Sequence, residues 1–265
     1  MPTNRPTGGY RPVPLGTVPL SLQPGTASGV GRSPALPPTP KPLPKKPAEV
    51  AATLAEAGKS GALWVSSLDG GVGRTAVALM LASLLGAPGD VRAFMDLNPL
   101  SGSKTPAWVD QAPEQDPTTW AWAEPGAAGF RYLAGHVKDP QLAGIAGEFD
   151  TLVYDLPARI IPLEWAGRPV IVTRGDEEAL TRITMLLSES ASLTVPIVVV
   201  NEAVTQETTK RARHLTVGMA AWARVVHLAR DPALHRAPWL PQHAAASTKL
   251  AAAQIAAIVN ERKPQ

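Results

Sequence analysis

The sequence predicts an α/β fold, a doubly wound and mostly parallel sheet flanked by helices. Three observations predict it. Short apolar runs recur along the chain, and several are near-continuous rather than alternating, the pattern of strands covered on both faces. Stretches of helical character separate many of these runs, and a repeated strand–helix–strand order builds parallel sheets. The first run also passes through a glycine-containing turn straight into a helix.

In chain order, residues 47–59 (PAEVAATLAEAGK) read as a short alanine-rich helix opened by Pro47, whose fixed φ and missing N–H suit a first turn. Ala62–Ser66 (ALWVS) is the first strand, Ser67–Arg74 the glycine turn and Thr75–Leu85 the helix after it. Further strands are expected at Val91–Leu97, Phe130–Ala134, Thr151–Leu156, Pro169–Thr173, Pro196–Asn201 and Arg224–Leu228. Further helices are expected at Glu177–Ser190, Gln206–Trp222 and Ser247–Glu261. Residues 99–128, rich in Pro, Trp, Gly and Ala without a period, read as a long excursion with one short helix.

Composition bounds the rest. A chain of 265 residues, 45% hydrophobic, holds one sizeable α/β domain or two small ones. Residues 1–46 carry 12 of the 28 prolines and six basic residues with no acid, so the net +3 divides into +6 there and −3 beyond. Such a segment buries too little apolar surface to fold and favours extended polyproline II. The expected division is therefore a disordered, basic, Pro-rich tail over 1–46 and a domain over 47–265.

The absence of cysteine excludes disulfides, thiolate metal sites and cysteine nucleophiles, and fits a reducing cytoplasm. No apolar run reaches membrane-spanning length and no signal-peptide core stands at the N-terminus, so a cytoplasmic protein is expected. His136, His214, His227, His235 and His243 lack metal-ligand spacing, and no G-x-S-x-G nucleophile elbow is present. The C-terminal helix offers few bulky apolar groups and reads as docked, without a stable membrane anchor. Trp108, Trp120, Trp122 and Trp165 read as core filling under long loops, with a partner surface as the alternative.

The stretch SSLDGGVGRTAVALMLASLLG, Ser66 to Gly86, has the context of a phosphate-binding loop: a strand, a glycine turn and a helix start. Glycines let backbone N–H groups converge on phosphate oxygens, and the helix N-terminus adds partial positive charge. The segment resembles the deviant Walker A loop of the ParA/MinD ATPases, usually KGGVGKT. The resemblance continues in order through VRAFMDLNP, GFRYLAG, FDTLVYDLPA, RPVIVTRGDEEALTRI, PIVVVNEA and LARDPALHRAPW.

That resemblance implies a P-loop NTPase fold of ParA/MinD type, with ATP and Mg²⁺ as cofactors. It assigns Gly70, Gly71, Val72, Gly73, Arg74 and Thr75 to the phosphate cradle and Asn201 to the base. By the same likeness Thr75 and Asp155 serve the metal, Thr75 as a ligand and Asp155 as the acid that orders its water shell. Asp96 and Asn98 occupy the positions of the pair of acids that, in the family, acts on the attacking water.

Three departures fall on hydrolysis and dimerisation. The signature lysine is Asp69, the loop lysine is Arg74, and the second acid is Asn98, whose amide orients water but cannot take its proton. The implied function is nucleotide binding in DNA partition, conjugative transfer or intracellular positioning, with weak or absent ATP hydrolysis and a homodimer as the working unit. The alternative is a non-hydrolysing scaffold. The tail of residues 1–46 is expected to reach DNA or an acidic protein partner, with a plain solubilising linker as the bland reading.

Overall fold

The computed structural model describes residues 44–56, 61–97, 130–134, 149–163, 168–189, 195–204, 209–236 and 241–261. Its strands are β1 (Gly61–Ser66), β2 (Arg92–Asp96), β3 (Arg131–Ala134), β4 (Thr151–Asp155), β5 (Arg168–Arg174), β6 (Ile197–Asn201) and β7 (Arg224–Leu228). They form one sheet in the order β3-β2-β4-β1-β5-β6-β7 with every pairing parallel. β4 and β6 are buried at every residue, which is why their sequences read TLVYD and IVVVN rather than alternating with polar groups.

The helices are α1 (Pro47–Glu56), α2 (Arg74–Leu84), α3 (Glu177–Glu189), α4 (Thr209–Leu215), α5 (Pro232–Arg236) and α6 (Ala246–Val259). Successive strand residues point to opposite faces. Leu63, Val65, Val153, Val172 and Val199 therefore meet Val77 and Leu81 of α2 and Ile255 of α6 on one face. On the other, Ile171, Val198 and Val200 meet Leu180, Ile183 and Leu187 of α3. Trp64 stacks on Tyr154 within a third cluster, ring centroids 3.9 Å apart and planes 7° from parallel. β1 and β4 place the two rings side by side in register.

α6 is docked along its length, its Ala251, Ala252, Ala253 and Ala256 allowing close approach to the sheet. Its end is held where the strands begin. Arg168, at the start of β5, donates to the Glu261 carbonyl at 2.6 Å, and Arg224, at the start of β7, donates to Glu261 Oε2 at 3.4 Å.

The expectation of one helix over Gln206–Trp222 is corrected by a break: α4 ends at Leu215, and a separate 3₁₀ turn covers Val217–Ala221. Gly218 disfavours a continuous helix there, and the Thr216 hydroxyl donates back to the Arg213 carbonyl at 2.9 Å. The tail to residue 43, the excursion over residues 99–128 and the four tryptophans named above lie outside the described residues. Among the described residues, no helix is long and apolar enough to cross a membrane.

The topology fixes where a ligand can sit. β1 and β4 are neighbours, yet β1 leads to β2 on one side and β4 leads to β5 on the other. Ligands of open α/β sheets bind outside the carboxyl ends of strands at such a reversal. Trp64→Ala removes the stacked ring beneath this point and is expected to cost about 3–5 kcal/mol. Urea denaturation checks it, and a wild-type midpoint would show that the stack contributes little.

Candidate phosphate-binding site

The chain leaves β1 at Ser66 and turns through Leu68–Gly73 into α2. Gly71 and Gly73 have φ of +72° and +82°, values that a side chain strains against. Val72 between them is 1% exposed and pins the loop to the core. Its carbonyl accepts from Asn201 Nδ2 at 3.0 Å, and a Cβ on Gly73 would lie 2.5 Å from that same nitrogen. Gly73 is thus required twice, by its backbone angle and by its neighbour. It is also the N-cap of α2, so it offers no side-chain acceptor to the first amides of the helix. Around Gly70 and Gly71 nothing approaches within 4 Å of a hypothetical Cβ. Open backbone N–H groups above a helix N-terminus are what a phosphate needs.

Asp155 lies beneath. Register pairs it with Val65 of β1 on one side and Asp96 of β2 on the other. Its side chain is 1% exposed, and both oxygens are engaged. Arg74 Nε donates to Oδ1 at 2.6 Å and Thr75 Oγ1 donates to Oδ2 at 2.6 Å. Burial pushes the Asp155 pKa up to about 6 against the opposing pull of Arg74 and the Thr75 hydroxyl, with Asp96 adding to the rise. Asp96 is itself buried and accepts from the Tyr132 hydroxyl at 3.3 Å. Burial, with Asp96 alongside, pushes the Tyr132 phenol upward, so it stays a proton donor.

Asn201 ends β6 with its amide committed at both ends: Nδ2 goes to Val72, and Oδ1 accepts from Ala203 N–H at 3.1 Å. In this arrangement it braces the loop. Asp69, just before the glycines, meets Arg182 of α3, with Nη2 to Oδ2 at 2.7 Å. Both groups are partly exposed, so the pair contributes under about 1 kcal/mol. Its consequence is positional, since the acid is neutralised from within its own chain. Asn98 lies outside the described residues.

Two residues at the site carry no mark in the sequence that singles them out. Arg182 stands 113 positions from its partner, with no local signal. Arg159, just after Asp155, holds φ of +72° and donates its N–H to the Ser67 carbonyl at 2.6 Å. Only the Pro157 turn nearby hints at this tie.

Whether the residues fit a hydrated Mg²⁺ is decided by Asp155. Its carboxylate already holds a full positive charge at 2.6 Å. Neutralised in this way, and with Thr75 on its other oxygen, the carboxylate has little net attraction left for a divalent ion. As arranged, the donor set does not fit the cation.

No family model matches the chain, and no curated protein matches it. Solved structures do. A ParA family ATPase from Chlorobium tepidum TLS is 13% identical, with 75% of this chain and 98% of that chain covered and a TM-score of 0.51. An ATP complex of a McdA variant from Cyanothece is 19% identical, with 77% of this chain and 98% of that chain covered and a TM-score of 0.54. The fold is ParA/MinD-like. Within this ParA/MinD-like fold, the glycine loop, Thr75 and Asp155 stand together at the sheet's switch point.

Arg74→Ala leaves Asp155 without its counter-charge and is expected to cost about 3 kcal/mol at neutral pH. The sign with pH follows from the raised pKa of Asp155, about 6 in the folded protein. A raised carboxyl favours the fold while protonated, and that contribution is lost as pH rises through the folded value. Removing Arg74 raises it further, so the deficit should be small near pH 5 and grow by pH 8. Denaturation of both proteins across that range checks it; a deficit independent of pH would contradict it.

Proposed function

We propose that this chain is a ParA/MinD-like nucleotide-binding protein acting in DNA partition, conjugative transfer or intracellular positioning, with slow or absent ATP hydrolysis. One observation carries the reading: a glycine loop with two left-handed glycines stands over the uncapped start of α2 at the switch point. Gly70 to Thr75 hold the phosphates through backbone N–H groups, and a homodimer is the working unit. That a structurally similar protein was solved as an ATP complex supports the choice of ligand.

The site's departures support slow turnover. Asp69 is tied to Arg182 and offers no cation to a second subunit. Asp96 is buried against Tyr132. Asn98 supplies an amide in place of a second acid. Groups of these kinds contribute on the order of 10²–10³-fold each.

ATP should bind the wild type at sub-millimolar concentration in calorimetry, with turnover near background. Asp69→Lys with Asn98→Asp should raise turnover by about tenfold or more. No ATP or ADP binding at millimolar concentration would sink the nucleotide reading. Brisk wild-type turnover unchanged by the double substitution would sink the slow-enzyme reading. The non-hydrolysing scaffold is favoured by one observation of its own, the Arg74–Asp155 ion pair that closes the floor of the site.

The basic tail supports a DNA or acidic protein partner, reached through charge and therefore sensitive to salt. The backbone N–H groups of Lys45 and Lys46 donate to Glu49 Oε2 at 3.1 and 3.3 Å, so a truncation is best made before them. Deleting residues 1–43 should leave the melting temperature unchanged and weaken duplex DNA binding at low salt. Anisotropy titrations at two salt concentrations check this; equal DNA affinity with and without the segment would refute it.

A further inference from the structure

Arg74 turns inward. Its Nε lies 2.6 Å from Asp155 Oδ1, and the side chain is 11% exposed against 1% for its partner. Thr75 Oγ1 occupies the other carboxylate oxygen at 2.6 Å. The two side chains expected to serve a divalent cation are therefore joined to each other and to a cation belonging to the chain.

The same side chain also has capacity toward a ligand. With Nε committed, a guanidinium retains four of its five N–H donors, carried on a planar fork suited to phosphate oxygens. Above it the loop is open at Gly70 and Gly71, and the first amides of α2 face no capping side chain. Floor and walls of the cradle thus both present N–H donors without an added ion.

We propose that Arg74 is the resident cation of this loop and that the nucleotide binds without a divalent metal. The inference rests on the nucleotide reading above. A lysine at this position places its charge in a compact ammonium at the end of a flexible stem, where it can turn to the phosphates and leave Asp155 open to a metal. Arginine, anchored through Nε, holds both places at once.

The test is a fluorescence titration of the full chain with a methylanthraniloyl-ATP probe, in EDTA and in excess MgCl₂. The wild type should bind with affinities within about twofold of each other in the two buffers. Arg74→Lys should bind about tenfold or more tightly with Mg²⁺ than without. Circular dichroism establishes that the variant is folded; if it is not, Arg74→Gln takes its place with the same expectation, since it too frees Asp155. A wild type that gains about tenfold from Mg²⁺ overturns the inference while leaving the nucleotide reading intact. A variant as indifferent to Mg²⁺ as the wild type overturns it as well, because Arg74 would not then be what excludes the metal. No probe binding by either protein in either buffer overturns the nucleotide reading and this inference together.

Discussion

A carboxylate with 1% of its side chain exposed must have its charge answered inside the protein, and Asp155 is such a group. Water cannot solvate it, so the free energy of the ionised state depends on Arg74 and Thr75. Both lie at the start of α2, which ties the first turn of that helix to the end of β4. The pairing of β1 with β4 brings them within reach, and the two left-handed glycines aim the helix there. Strand order, register, loop angles and helix start therefore converge on satisfying one buried charge.

Much of this is legible from the residues. All seven strands fall where the apolar runs place them, within about two residues at either end. Runs such as IVVVN are buried on both faces of a parallel sheet, and burial leaves a continuous imprint on sequence. The glycine turn is readable for a related reason, since its backbone angles leave little choice of residue at Gly71 and Gly73. What periodicity misses in the helices is an interruption: Gly218 and the back-bonding Thr216 end a pattern that spacing alone continues.

Side-chain direction is the illegible part. Sequence shows that Arg74 keeps the lysine's charge but not that its Nε faces inward, because that choice is made by a carboxylate 81 positions away. Asp69 stands out as an acid in an unwelcome place, yet its neutralisation by Arg182 exists only once α3 has packed beside the loop. Asn201 is similar. Its place at the end of β6 is clear, whereas its role as a brace depends on Val72 arriving opposite it. Long-range polar pairs leave no period and no composition bias, so only the assembled sheet reveals them.

The clamp on Glu261 gives the molecule two poles. Arg168 and Arg224 hold that residue at the starting ends of β5 and β7, whereas the glycine loop sits at the finishing end of β1. All strands run the same way, so the two ends are separated by the length of a strand, about 17 Å for five residues. Glu261 therefore marks the pole that faces away from the loop. A fluorophore, affinity handle or surface tether attached there is held by the rigid sheet yet stands clear of anything docking at the opposite end. The fold thus comes with a built-in point of attachment for immobilising it with its cradle outward.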